Sequence, residues 1–195
     1  MAKEHSSGER KRARSPAALL LVDVINPFEF VGAENFLRET RHVVPAIVRT
    51  RAAFDRRGLP SIYCNDNFGQ WRSDFQAVVK RCVESRRGGA DIVAALMPRP
   101  DDYFVLKPKH SAFHATPLVQ LLASLEVKRV YVVGIAADAC VSDTVVGAHM
   151  EEFHVSLVTD AVASESKGRC RRAIDQLLER KVARGIQSAN VLRSL

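Results

Sequence analysis

Three side chains of types that can do covalent chemistry follow apolar runs: Asp23 in LLLVDVINPF, Lys107 in YFVLKPKHSAF and Cys140 in VYVVGIAADACVSDTVVGAHM. A thiolate could attack a carbonyl carbon, with amides in the turn before Cys140 as an oxyanion hole. A carboxylate at position 23 is costly among apolar neighbours unless it has a partner, although Asn26 and Pro27 also suit a turn or cap there. Lys107 could neutralise that carboxylate or a thiolate; by position alone it could equally be a solvated lysine, and Lys109 competes with it. Cys140 begins a helical pattern, where orphan amides and the macrodipole favour an anion, so its thiol is expected to ionise below the ~8.5 of free cysteine. Its alternative is a buried, inert thiol. Gly134, Ala136, Ala137 and Ala139 are small enough to let a substrate approach the backbone.

The elements that must position these residues alternate short apolar runs with longer amphipathic stretches, the pattern of a parallel sheet with crossover helices. Strands are expected over 17–24, 60–65, 103–106, 129–134, 154–159 and 186–192. Helices are expected over 35–57, broken or restarted at Pro45, and over 74–87, 116–125, 139–152 and 167–181. Right-handed crossovers place helices on both faces and ligands at the carboxyl ends of the strands. Asp23, Lys107 and Cys140 all fall at such ends.

Composition bounds the class. The chain has 195 residues, 47% hydrophobic and 26% charged, with 10 Gly and 8 Pro, which suits one globular domain over 17–195 and excludes collagen-like material. The net charge is +7, of which residues 1–16 supply +3 through Lys3, Arg10, Lys11, Arg12 and Arg14 against Glu4 and Glu9. That segment is expected to be a disordered basic tail. With no pronounced basic stripe in the remainder, no nucleic acid is expected as a partner. No apolar run reaches the ~18–20 residues of a membrane span and the N-terminus lacks a signal-type apolar segment, so no membrane partner and a cytoplasmic location are expected. The four cysteines are too irregularly spaced for a disulfide scaffold, and the six histidines form no HExxH. Neither a GxGxxG nor a P-loop is present. No cofactor and no metal site are expected.

Taken together, LLLVDVINPF, VLKPKHSAFHATPL and VVGIAADACVSDTVVGAHMEEFHVSLVTDAVAS resemble the isochorismatase-like cysteine hydrolase superfamily over residues 17–188. The resemblance implies a three-layer α/β/α sandwich with a six-stranded parallel sheet, Rossmann-like, commonly assembled as a dimer or tetramer. It implies a catalytic triad of Asp23, Lys107 and Cys140, a non-proline cis peptide before Ala136, and an oxyanion hole from the amides of Ala136 and Cys140. Nicotinamidases of this superfamily bind a metal through an Asp-x-His and a further His, where this chain has Asn65, Asp66, Asn67 and Phe68. Isochorismatases proper lack the cysteine. The resemblance therefore implies a metal-independent amidase-like member cleaving a C–N bond of a small amide or carbamoyl compound through a thioester; the other reading is a catalytically silent binding module on the same fold. For substrate contacts, Trp71 and Phe113 could sandwich a planar or apolar group while Asn65 or Ser111 bonds its polar end. Trp71 could also be a core anchor, and Arg72 would favour a carboxylate substrate if it faces inward.

Overall fold

The computed structural model describes residues 16–72, 74–85 and 88–195, so residues 1–15 of the expected tail lie outside the described residues. Six strands form one sheet in the order β3-β2-β1-β4-β5-β6, and every neighbouring pair is parallel. They are β1 (Ala17–Val22), β2 (Ser61–Asp66), β3 (Tyr103–Lys107), β4 (Arg129–Ile135), β5 (His154–Ala163) and β6 (Arg184–Ile186). β1, with the sequence AALLLV, is buried at every position, as a central strand covered on both faces must be.

Helices cover both faces. On one, α1 (Ala33–Arg56), α2 (Phe75–Glu84), α3 (Ala90–Ala95) and α7 (Ser188–Ser194) pack over Leu19, Leu21, Tyr63, Tyr131 and Val133. On the other, α4 (Leu118–Ser124), α5 (Cys140–Met150) and α6 (Lys167–Glu179) cover Leu20, Ile62, Val105, Val130 and Val132. This is the three-layer α/β/α sandwich. Strand order reverses between β1 and β4, so the crevice that binds ligands in doubly wound sheets opens at their carboxyl ends.

Several elements differ from the sequence reading. The strand expected over 186–192 is cut to β6, and 188–194 is helical as α7. Ser188 docks both its amide and its hydroxyl on the Asp160 carboxylate, at 2.8 and 2.6 Å. Three residues on, Val191 is buried in the core on the α1 side, a spacing that suits a helix and not a strand. Pro45 lies inside an unbroken α1. It is exposed, while Leu37, Thr40, Ala46, Ile47, Thr50 and Phe54 bury one stripe along the helix, and that burial outweighs the ~3 kcal/mol cost of an interior proline. The short helix α3 was not expected; its buried Ile92 and Val93 join the core on the α1 side.

The expected strand at 154–159 continues to Ala163 after a register break. Val132 pairs with Leu157, but Gly134 pairs with Val162. Extra residues on β5 make a bulge that brings 162–164 beside the chain leaving β4. Gly134 has φ +119°, and a Cβ built there would sit 2.1 Å from the Val22 carbonyl oxygen, immediately before Asp23.

Gly134→Ala is therefore expected to destabilise the chain by about 3 kcal/mol or more, since it adds positive-φ strain to a backbone clash. Gly58→Ala is the control: φ is +63° but nothing lies within 4 Å of the new methyl, so its cost should be about 1–3 kcal/mol from backbone strain alone. Urea denaturation of both variants checks the difference.

Candidate active site

Each member of the Asp23, Lys107 and Cys140 set is delivered by the end of a different strand. Asp23 follows β1, its amide bonded to the Cys64 carbonyl of β2 at 3.0 Å. Its backbone then enters the left-handed region at φ 50°, a conformation aspartate tolerates better than most residues. Lys107 is the last residue of β3. Cys140 is the first residue of α5, after a turn that begins with a cis peptide between Ile135 and Ala136.

The Lys107 side chain is completely buried, with Nζ 2.8 Å from Asp23 Oδ2. It also donates to Cys140 Sγ at 3.4 Å and to the Lys109 carbonyl at 3.3 Å, and Asp66 Oδ2 lies 3.9 Å away. An ammonium has three protons, and this site offers three near acceptors. Asp23 Oδ1 accepts from the Asp66 amide at 2.7 Å. Of the two candidate lysines, then, Lys107 meets the carboxylate, while Lys109 is exposed and contributes its carbonyl.

Burial dominates the electrostatics. It pushes the Asp23 carboxyl above its ordinary value, although Lys107 and the hydrogen bonds from Cys140, Lys107 and the Asp66 amide all pull the other way. Burial opposes the charge on Lys107, but Asp23 and the anionic form of Cys140 outweigh it and raise Lys107 above its ordinary range. The Cys140 thiol is pushed up to about 12, first by burial and then by the Asp23 charge, with Lys107 only partly compensating. This corrects the expectation that the helix N-terminus makes this thiol acidic. A half-unit of helix charge does not offset desolvation plus a neighbouring carboxylate. On this balance the thiol form of Cys140 is favoured near neutral pH.

The turn from 136 to 140 is backbone-rich. The amides of Ala139 and Val141 bond to the Ala136 carbonyl at 3.1 and 3.0 Å, and that of Ala137 to the Ala163 carbonyl at 2.8 Å. Asp138 donates its amide to Ser164 Oγ at 3.3 Å.

Among the described residues, none of the remaining sequence candidates is seen to hydrogen-bond to the Asp23, Lys107 or Cys140 side chains. Asn65 is fully buried and spends its amide on the Ile25 carbonyl at 2.6 Å; among the described residues its Oδ1 has no hydrogen-bond partner. Ser111 and Phe113 pack on α5 at Gly147, about 10 Å along the helix from Cys140, and Phe113 meets the Phe153 ring at 5.8 Å. Trp71 is 79% exposed, which rules it out as a core anchor. Arg72 is exposed too. Sequence reasoning noted Asp66 only within the stretch where nicotinamidases bind a metal and passed over Asp138, Ser164 and Arg169; of these three only Asp138, two residues before the cysteine, carried any local signal.

Where nicotinamidases place their metal ligands, Asp66 Oδ1 accepts from the Phe68 amide and Asn67 Oδ1 from the Gly69 amide, while the Phe68 ring lies under the Arg81 guanidinium at 5.9 Å. One carboxylate and no imidazole do not fit zinc or iron. A cavity of about 920 Å³ sits at the opposite, amino ends of β4–β6, and Arg129, Lys181, Arg184 and Arg193 are among its lining residues.

A family model for an isochorismatase domain matches residues 17–187. The isochorismatase family protein YaaI of Bacillus subtilis is 37% identical over 154 residues, 79% of this chain and 84% of that protein. The ureidoacrylate amidohydrolase RutB of Cronobacter sakazakii is 25% identical, over 76% and 75% of the two chains. Among solved structures, N-carbamoylsarcosine amidase of Thermoplasma acidophilum superposes with a TM-score of 0.68 at 24% identity, covering 88% and 96% of the two chains.

Lys107→Met is expected to cost about 3–5 kcal/mol at neutral pH, because it strands the Asp23 carboxylate in the interior. Adding Asp23→Asn should restore most of that loss. A stranded carboxyl has its folded-state pKa raised, so its neutral form is favoured at low pH and the deficit should shrink as pH falls. A double-mutant cycle by urea denaturation at several pH values tests both statements.

Proposed function

The chain belongs to the isochorismatase family, and from that premise we propose that it is a cysteine hydrolase cleaving a C–N bond of a small amide or carbamoyl compound. The observation that carries this reading is the buried Lys107 ammonium, 2.8 Å from the Asp23 carboxylate and 3.4 Å from Cys140 Sγ. The carboxylate and thiol that a two-step acyl transfer requires are thus held by one cation.

In the first step Asp23 takes the Cys140 proton as the Sγ–C bond forms, and the carbonyl electron pair moves onto oxygen. The oxyanion donors that the family resemblance implies are the amides of Ala136 and Cys140, and the bonding of the Ala137, Asp138, Ala139 and Val141 amides to other groups is consistent with that. The C–N bond then breaks, the proton on Asp23 passes to the leaving nitrogen, and ammonia or an amine departs. Water attacks the thioester with Asp23 as base, the C–S bond breaks, and the proton returns to sulfur. The products are a carboxylic or carbamic acid and the free thiol. Lys107 offsets the negative charge that moves between Asp23 and Cys140.

The substrates in the names of RutB and of N-carbamoylsarcosine amidase both carry a carbamoyl group on nitrogen. N-carbamoyl amino acids and ureido acids are therefore the first compounds to test, beside simple carboxamides. A silent module is the other reading, and a relative of Arabidopsis thaliana, 27% identical over 75% of this chain, is described as a probable inactive nicotinamidase. Against it stands the cost of keeping a carboxylate, an ammonium and a thiol together out of water.

Ammonia release from such a panel, with intact-mass detection of an acyl adduct on Cys140, tests the proposal. Cys140→Ala should abolish the adduct and lower turnover by at least about 10⁴-fold. Turnover needs the Asp23 carboxylate ionised, so kcat/KM should fall on the acid side at a pH above the ordinary carboxylate range, and that limb should vanish in Asp23→Asn. A protein that neither releases ammonia from any of these compounds nor forms an adduct would be the silent module.

A further inference from the structure

The turn bearing Ala136 and Cys140 is tied to the end of β5 by groups that take no part in the chemistry above. Because of the β5 bulge, Ala163 and Ser164 lie beside that turn, and the Ala137 amide bonds to the Ala163 carbonyl at 2.8 Å. Ser164 is completely buried. Its hydroxyl donates to Asp138 Oδ1 at 2.6 Å and accepts from the Asp138 amide at 3.3 Å. The other carboxylate oxygen of Asp138 accepts from Arg169 Nε at 2.7 Å, reaching across from the first turn of α6. Arg169 is fixed in turn by Glu165 at 2.9 Å.

We propose that Asp138, Ser164 and Arg169 form a clamp that positions the nucleophile turn, with Arg169 also neutralising the Asp138 charge two residues from Cys140. This rests on the reading of Cys140 as the nucleophile. Backbone hydrogen bonds already hold the Ala137, Ala139 and Val141 amides, but none of them holds Asp138 at the middle of the turn. The clamp fixes it through one residue, Asp138, whose amide and both carboxylate oxygens are all engaged. Ser164 and Arg169 hold Asp138 in its ionised form against the pull of burial. An ionised Asp138 without Arg169 would repel the anion developing on Sγ. Ser164 and Arg169 are thus positioning residues; neither touches the thiol.

The test uses Arg169→Met and Ser164→Ala, with Arg169→Lys as the conservative variant. The first readout is the iodoacetamide alkylation rate of Cys140 at mildly alkaline pH, followed by peptide mapping, which requires no substrate. The second is the division of the effect between kcat and KM on whichever amide the wild type hydrolyses. Small displacements of a reacting group cost up to about 100-fold, so a loss of about 10-fold in alkylation rate and in kcat is expected for Arg169→Met and Ser164→Ala, with KM within about twofold. Arg169→Lys, which keeps the charge, should recover part of the loss. Arg169 is half exposed, so its variants should fold even if Ser164→Ala does not, and the melting temperature checks this. The clamp is overturned if folded Arg169→Met alkylates Cys140 at the wild-type rate within about twofold. If the wild type hydrolyses nothing while Arg169→Met still slows alkylation, the hydrolase reading fails and the clamp stands.

Discussion

One constraint organises this molecule: a lysine ammonium with no access to water. Burying an unpaired ammonium costs several kcal/mol, so Lys107 is tolerable only where acceptors surround it. Asp23, Cys140 and the Lys109 carbonyl meet that need, and they come from after β1, the start of α5 and the loop after β3. Three chain segments far apart in sequence must therefore end at one point. The parallel sheet makes this convergence possible because β1, β3 and β4 all run toward the same edge. The left-handed backbone at Asp23 and the close approach of Gly134 to Val22 are local consequences of bringing those ends together.

The same burial sets the character of the chemistry. Desolvation raises both the carboxyl and the thiol, and Lys107 offsets this only in part. The site is best described as a neutral thiol beside a carboxylate and an ammonium. In the proposed hydrolase the proton would move as a carbonyl accepts the electron pair. A low-dielectric pocket that disfavours the resting thiolate also strengthens each oriented amide dipole facing the developing oxyanion.

Rigidity around that pocket is uneven in origin. The Asp23 side is held by strand ladders, whose hydrogen bonds and apolar faces the central sheet supplies. The Cys140 side is a turn, and it borrows order from the bulged end of β5 and from α6 through Asp138, Ser164 and Arg169. A helix ending on Pro45 would have shortened the cover over the sheet. Instead α1 runs through it with the proline facing solvent.

Near-continuous apolar runs such as LLLV and VYVV are sufficient to identify the central strands, because a strand covered on both faces has no room for alternation. Asp23, Lys107 and Cys140 are legible for a related reason: each interrupts or ends such a run with a group that is expensive to bury. The sequence alone could determine the parallel α/β class and nominate these three residues. It could not show that the helix-terminal cysteine is less acidic than free thiol, since burial and the Asp23 charge arise only from packing. Nor could it separate strand from helix over 186–192, where Asp160, 28 residues upstream, supplies the anchor for Ser188. It also offered Asn65, Trp71, Ser111 and Phe113 as substrate contacts without showing where they point. The fold buried the first, exposed the second and packed the last two against the middle of α5. Local pattern records which side chains are costly to bury; which groups meet there, and how their charges balance, depends on contacts between residues that the chain keeps far apart.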